Sequence, residues 1–104
     1  MEKWADYGIS AVIINSEGHV NQLKVHKDKG NVIGDGELWS REQVVSALEK
    51  NYTFITLLNY NQGVWSEGQE VGVVHVNKDK YIRTDQDQTP SDNLENLPKF
   101  STLY

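Results

Sequence analysis

Ile9, Ala11 and Ile13 alternate with Ser10, Val12 and Ile14. β-Branched residues dominate both sets, which predicts a strand that is apolar on both faces. Asn15-Ser16-Glu17-Gly18 ends it with turn residues, the glycine suited to the left-handed position of a short hairpin loop. A second strand follows over about residues 20–26, with Leu23 and Val25 on one face. Asp28-Lys29-Gly30 repeats the turn chemistry and leads to a short strand at Val32-Ile33. Gly34-Asp35-Gly36 then reads as a break.

One helix is predicted, over residues 41–50. Ser40 is a suitable N-cap, with Gln43 three residues on to complete a capping box. Trp39 and Val44 occupy the two positions of a hydrophobic staple. Glu42 in the first turn and Lys50 in the last suit the macrodipole. Val44, Val45 and Leu48 form an apolar stripe with Ala47 at its edge. Asn51 is a natural left-handed stop. At about ten residues the helix is marginal alone, so its stripe must dock on a sheet.

Beyond the helix, residues 52–59 give the strongest strand signal in the chain. Asn61-Gln62-Gly63 reads as a turn, Val64-Trp65 as a short strand and Gly68 as another break. Residues 71–76 form the next strand, which Asn77-Lys78-Asp79 turns into residues 81–84. The order is β-β-(β)-α-β-β-β. Tight turns between strands predict an α+β domain built on an antiparallel sheet of about five strands, without βαβ crossovers. One short helix covers only one face. Leu94, Leu97 and Phe100 are the large apolar residues left over, so residues 85–104 are expected to dock as a tail on the opposite face. A small, partly open β-barrel with the helix at one end is the alternative fold.

A chain of 104 residues is expected to form a single domain, 1–104. The formal net charge is −5, from 10 Lys+Arg against 15 Asp+Glu. That balance opposes binding to nucleic acid or to an anionic membrane, because both rely on a basic surface. The absence of cysteine removes disulfides, thiolate nucleophiles, Fe–S clusters and cysteine zinc sites together. No positively charged region followed by an apolar run opens the chain, and the longest apolar stretch, 11–14, is too short to span a bilayer. A cytoplasmic monomer is expected.

Candidate chemistry is sparse. His19, His26 and His75 share no local metal-binding motif; His26 and Asp28 have a strand spacing, but Asp28 belongs to a turn. Residues 85–89 begin like a calcium loop. Pro90 stands where glycine must make the sharp turn, and Asn96 where a bidentate glutamate is needed. None of the seven serines lies in a nucleophile motif, and no glycine-rich phosphate loop is present. No catalytic residue, metal or cofactor is therefore expected. Trp39, Tyr60 and Trp65 lie at element ends, where an exposed ring can hold a partner; as core-edge rings they serve packing alone. Arg83 can pair with Asp85 or Asp92, or hold an anionic ligand beside His75.

The segment Trp4-Ala5-Asp6-Tyr7-Gly8-Ile9-Ser10-Ala11-Val12 resembles the opening of the YkvR-like small bacterial proteins. Val25-His26, Gly34-Asp35 and the Ser40-Arg41-Glu42 helix start agree with the same family. So do Tyr81-Ile82-Arg83-Thr84-Asp85 and Asp92-Asn93-Leu94-Glu95-Asn96-Leu97-Pro98 near the C-terminus. The family is catalogued only as a domain of unknown function. The resemblance implies an intracellular bacterial protein and carries over no catalytic or binding residue.

Two functional readings follow. The first is a non-catalytic module that binds a protein or peptide, with Trp39, Tyr60, Trp65, His75, Arg83 and Asp85 as candidate contacts. A basic partner would suit the charge. The second is a small-ligand binder or enzyme with a site around His75, Arg83 and Asp85. A concave pocket lined by these three groups separates the second reading from the first.

Overall fold

The structure is a computed structural model that describes residues 4–16, 20–30, 32–61, 64–76, 78–84, 97 and 99–101. Its elements are β1 (Tyr7–Ile14), β2 (Val20–Asp28), β3 (Ile33–Ser40), α1 (Arg41–Glu49), β4 (Phe54–Asn61), β5 (Val64–Val76), β6 (Asp79–Arg83) and β7 (Lys99–Ser101). The class is α+β, with one helix and a mixed sheet in the order β3-β2-β1-β4-β5-β6 that does not close into a barrel.

Two antiparallel meanders, β1-β2-β3 and β4-β5-β6, meet along a parallel seam. There Tyr7 pairs with Phe54, Gly8 with Ile55 and Ile9 with Thr56. Parallel neighbours need a long crossover, and α1 supplies it between β3 and β4. Asp6 and Thr53 fix the start of the seam. The Asp6 amide donates to Thr53 Oγ1 at 3.0 Å; the Thr53 amide and hydroxyl donate to Asp6 Oδ2 at 2.9 and 3.1 Å. Further along β1, β7 takes β4's place in parallel, opposite Val12, Ile13 and Ile14.

The helix starts as the sequence predicts but ends one residue earlier, at Glu49, so that no basic residue lies in its last turn. Ser40 Oγ accepts from the Gln43 amide at 3.1 Å, and Gln43 Oε1 accepts from the Ser40 amide at 2.8 Å. Lys50 is the C-cap, and Asn51 follows at φ 73°. Val44 and Val45 are buried with Ile9, Val12, Leu23, Val25, Phe54, Val71 and Ile82. The other face carries a smaller cluster of Ala5, Ile55 and Leu57, with Ile33 and Trp65 packed against it. Adjacent residues Phe54 and Ile55 thus serve different clusters, as strand alternation requires. On β1 the alternation is interrupted. Ile9 pairs with Val25 and Ala11 with Lys24, so Ser10 is the extra residue of a bulge. The bulge keeps Val12 on the helix side with Ile9.

Four further sequence expectations are corrected. The sheet is mixed, not wholly antiparallel, because turn chemistry reports hairpins and says nothing of where a helix delivers the next strand. β3 does not stop at Gly34-Asp35-Gly36; it runs through both glycines to Ser40, with Gly36 opposite His26. A Cβ on Gly36 would meet the Lys24 side chain, which lies across this position of the strand. β5 runs unbroken from Val64 through Gly68, where a Cβ would meet Thr56 Oγ1 at 2.0 Å. Finally, Leu97 is buried in the cluster that holds Val44 and Val45, on the helix side and not the opposite face. Phe100 lies in β7, opposite Ile13; Leu94 lies outside the described residues.

Candidate functional site

Two of the three aromatic candidates, Trp39 and Trp65, stand against other rings. Trp39 pairs with Leu23 at the end of β3. Its ring stands 5.0 Å from Tyr7 and 6.0 Å from Phe54, both edge-on. Trp65 places its ring 5.4 Å from His26, also edge-on. Both tryptophans are half-buried. Tyr60 belongs to β4, but its side chain, like all of Asp85, lies outside the described residues.

His75 and Arg83 occupy opposite ends of the β5–β6 ladder. His75 pairs with Lys80 and is exposed; Arg83 pairs with Gly72 and is buried. His75 Nε2 stands 3.9 Å from Glu49 Oε2, while Glu49 Oε1 accepts from Lys80 Nζ at 2.9 Å.

His75 lines an open groove of about 410 Å³, where the C-terminal end of α1 passes over β5. Leu48 and Glu49 form the helix wall, Asn51, Tyr52 and Thr53 the connecting wall, and Glu70, Val71, Gly72 and Val73 the β5 side. The left-handed Asn51 and the Tyr52 amide, which donates to Ala47 O at 3.1 Å, turn the chain sharply off the helix. That turn leaves Tyr52 48% exposed at the rim. Gly72 adds to the opening: a Cβ there would meet nothing within 4 Å. Among the described residues the lining carries two glutamates and one histidine, with no lysine or arginine. Arg83 is not part of it.

A second polar constellation escapes the sequence reading. On the face away from the helix, Ser10 Oγ lies 2.7 Å from His26 Nε2, and His26 Nδ1 lies 2.9 Å from the Gly34 carbonyl oxygen. A carbonyl only accepts, so Nδ1 carries a proton, and in the neutral ring Nε2 accepts from the Ser10 hydroxyl. Hydroxyl, imidazole and orienting acceptor are arranged like an activated nucleophile. Yet Ser10 and His26 are only 6% and 5% exposed, and Trp65 packs against the imidazole. Access to a substrate is missing, so the pair acts as a polar clamp between β1, β2 and β3. No sequence motif signals it, because the bulge that ends at Ala11 and the approach of Gly34 are both tertiary.

Asp28, weighed with His26 as a metal ligand, is likewise committed. Its Oδ2 accepts from the amides of Trp4 at 2.9 Å and Ala5 at 3.4 Å, and its Oδ1 from the Gly30 amide at 2.8 Å. One buried carboxylate therefore ties the segment before β1 to the turn after β2. Among the described residues no group of three or more His, Cys, Asp or Glu is placed to hold a metal ion, and no helix is long and apolar enough to cross a membrane.

Comparison with curated proteins and with solved structures gives no match. A family model does match, over residues 8–98, from the start of β1 to the residue before β7. The chain therefore belongs to the family described as a protein of unknown function, DUF3892.

Proposed function

We propose that the protein is a non-catalytic interaction module that holds a basic segment of another protein in the groove between α1 and β5. The observation that carries this reading is the lining itself: Glu70, His75 and the exposed ring of Tyr52 around about 410 Å³ of open space, with Glu49 beside them already paired to Lys80 and no lysine or arginine lining the groove among the described residues. A lysine or arginine entering the groove meets carboxylates and an aromatic face that attracts cations. The net charge of −5 adds longer-range attraction. Of the alternative small-ligand or enzyme site around His75, Arg83 and Asp85, His75 lines the groove and Arg83 does not, and Asp85 lies outside the described residues. Under the favoured reading the chain is a YkvR-like bacterial protein, cytoplasmic and monomeric. The support for that grouping is the resemblance of residues 4–12, 81–85 and 92–98.

The test is fluorescence anisotropy with labelled peptides rich in lysine and arginine, against a glutamate-rich peptide of equal length. Binding of the basic peptides alone is expected, weakening as salt rises. Glu70→Lys should reduce it by about tenfold or more. Equal binding of both peptides, or no effect of Glu70→Lys, overturns the reading.

A further inference from the structure

The two ends of the sheet differ. β6 is a five-residue strand that carries the exposed Lys80, with the exposed Lys78 just before it. Short length and cationic residues are the usual protection of an edge against pairing with another chain. β3, at the other end, is longer and carries no cation of its own; its ladder with β2 is irregular between Ile33 and Gly36 and regular from Gly36 to Ser40. It is eight residues long, Ile-Gly-Asp-Gly-Glu-Leu-Trp-Ser, without lysine, arginine or proline. Among the described residues it pairs with β2 only.

We propose that the outer edge of β3 receives an extended segment of another protein as an added strand, with basic residues at alternate positions. The proposal is independent of the groove beside α1.

Side-chain placement defines the partner. Asp35 and Glu37 are exposed and two residues apart, so both lie on one face of β3. A strand laid beside them places its own alternate side chains on that face, where lysine or arginine would meet the carboxylates. Leu38 lies on the other face and is 56% exposed. The partner's intervening residues there are expected to be apolar. Gly34 and Gly36 carry no side chains of their own, and the Lys29 and Lys24 side chains lie over these two positions. A second copy of this chain fits poorly: antiparallel self-pairing about Gly36 sets Asp35 opposite Glu37, like against like, between two molecules of charge −5. Main-chain hydrogen bonds would supply affinity, and the charge pattern selectivity, as in other strand-addition complexes.

The experiment uses the full chain and a peptide of alternating lysine and valine. A second peptide of the same sequence is N-methylated at alternate residues along one edge, which blocks strand pairing and keeps the side chains. Affinity is read by anisotropy, and the bound site by amide hydrogen exchange. The unmodified peptide should slow exchange across residues 34–39. The methylated peptide should bind about tenfold or more weakly. Leu38→Lys and Glu37→Lys, both at exposed positions, should weaken binding while melting temperature stays near the parent's. Four results overturn the proposal: no binding; equal binding of the methylated peptide; protection confined to residues 70–75, which assigns the peptide to the groove; or slow exchange of the whole β3 edge in the free protein, which means that the chain covers that edge itself.

Discussion

Ser10, the extra residue of the β1 bulge, sets its hydroxyl 2.7 Å from Nε2 of His26. With Nδ1 held by Gly34 O, both ring nitrogens are satisfied with the imidazole neutral. One side chain on β2 thus connects β1 to β3. Ser10→Ala leaves Nε2 without its donor in a buried site, which costs about 1–3 kcal/mol. Urea unfolding should show a lower midpoint at unchanged slope. If the pair were instead a working nucleophile and base, a fluorophosphonate probe would label Ser10 in the native protein. No labelling is expected, and a labelled Ser10 found by mass spectrometry would convert the clamp into an active site.

The helix cap makes a simpler case. The reciprocal bonds between Ser40 and Gln43 satisfy amides that otherwise lack partners at the helix start. Ser40→Ala should destabilise by about 1 kcal/mol. An unchanged urea midpoint would show that the capping box contributes nothing that water does not replace.

Features that depend on neighbours in the chain were legible in the sequence. Ser40, Gln43 and Asn51 marked the helix because capping and left-handed stops are local chemistry. The two meanders followed from turn residues at fixed offsets. Features set by distant neighbours were not legible. Gly36 and Gly68 look like breaks in one dimension, but each lies inside a strand; at Gly68 the Thr56 backbone comes too close for a side chain, and at Gly36 the Lys24 side chain lies across the position. The parallel β1–β4 seam depends on Asp6 and Thr53, 47 residues apart. The site fared likewise. His75 was singled out and does line the groove, whereas Glu49, Glu70 and Tyr52 join it only through the α1–β5 packing. Trp39 and Trp65 stood out as aromatics at element ends, and the structure uses them for packing.

Two glycines on β5 should respond oppositely to the same substitution. A Cβ on Gly68 would stand 2.0 Å from Thr56 Oγ1 and 2.5 Å from Thr56 O, and the second of these is backbone. Thr56 Oγ1 also accepts from the Gln69 amide at 2.9 Å, so it is not free to retreat. Gly68→Ala should cost about 1–3 kcal/mol through overpacking. Gly72→Ala meets no atom within 4 Å and should be neutral or stabilise by up to about 1 kcal/mol, by reducing the freedom of the unfolded chain. Thermal melts of the two variants side by side test the register of β5. Equal loss in both would mean that the bulge opposite Thr56 is misplaced.

The C-terminal residues contribute to the core through Leu97, which is 6% exposed within the cluster of Val44, Val45 and Phe54. β7 then runs parallel to the end of β1, opposite Val12, Ile13 and Ile14. Leu97→Ala removes buried methyl groups from a packed site and should destabilise by about 2–5 kcal/mol. That is a large share of a small domain's stability. Val64→Ala is the control. Val64 is 66% exposed, and its loss should change stability by no more than about 0.5 kcal/mol. Truncation after Thr84 removes Leu97 and β7 together, uncovering apolar core on the helix side and the edge of β1 beyond Ile9. Loss of cooperative unfolding, or self-association seen by light scattering, is the expected result. A monomeric 1–84 chain that melts like the parent would overturn the docking, and so would a Leu97→Ala variant that behaves like Val64→Ala. The family's match through residue 98 would then describe a segment kept for a partner and not for the fold.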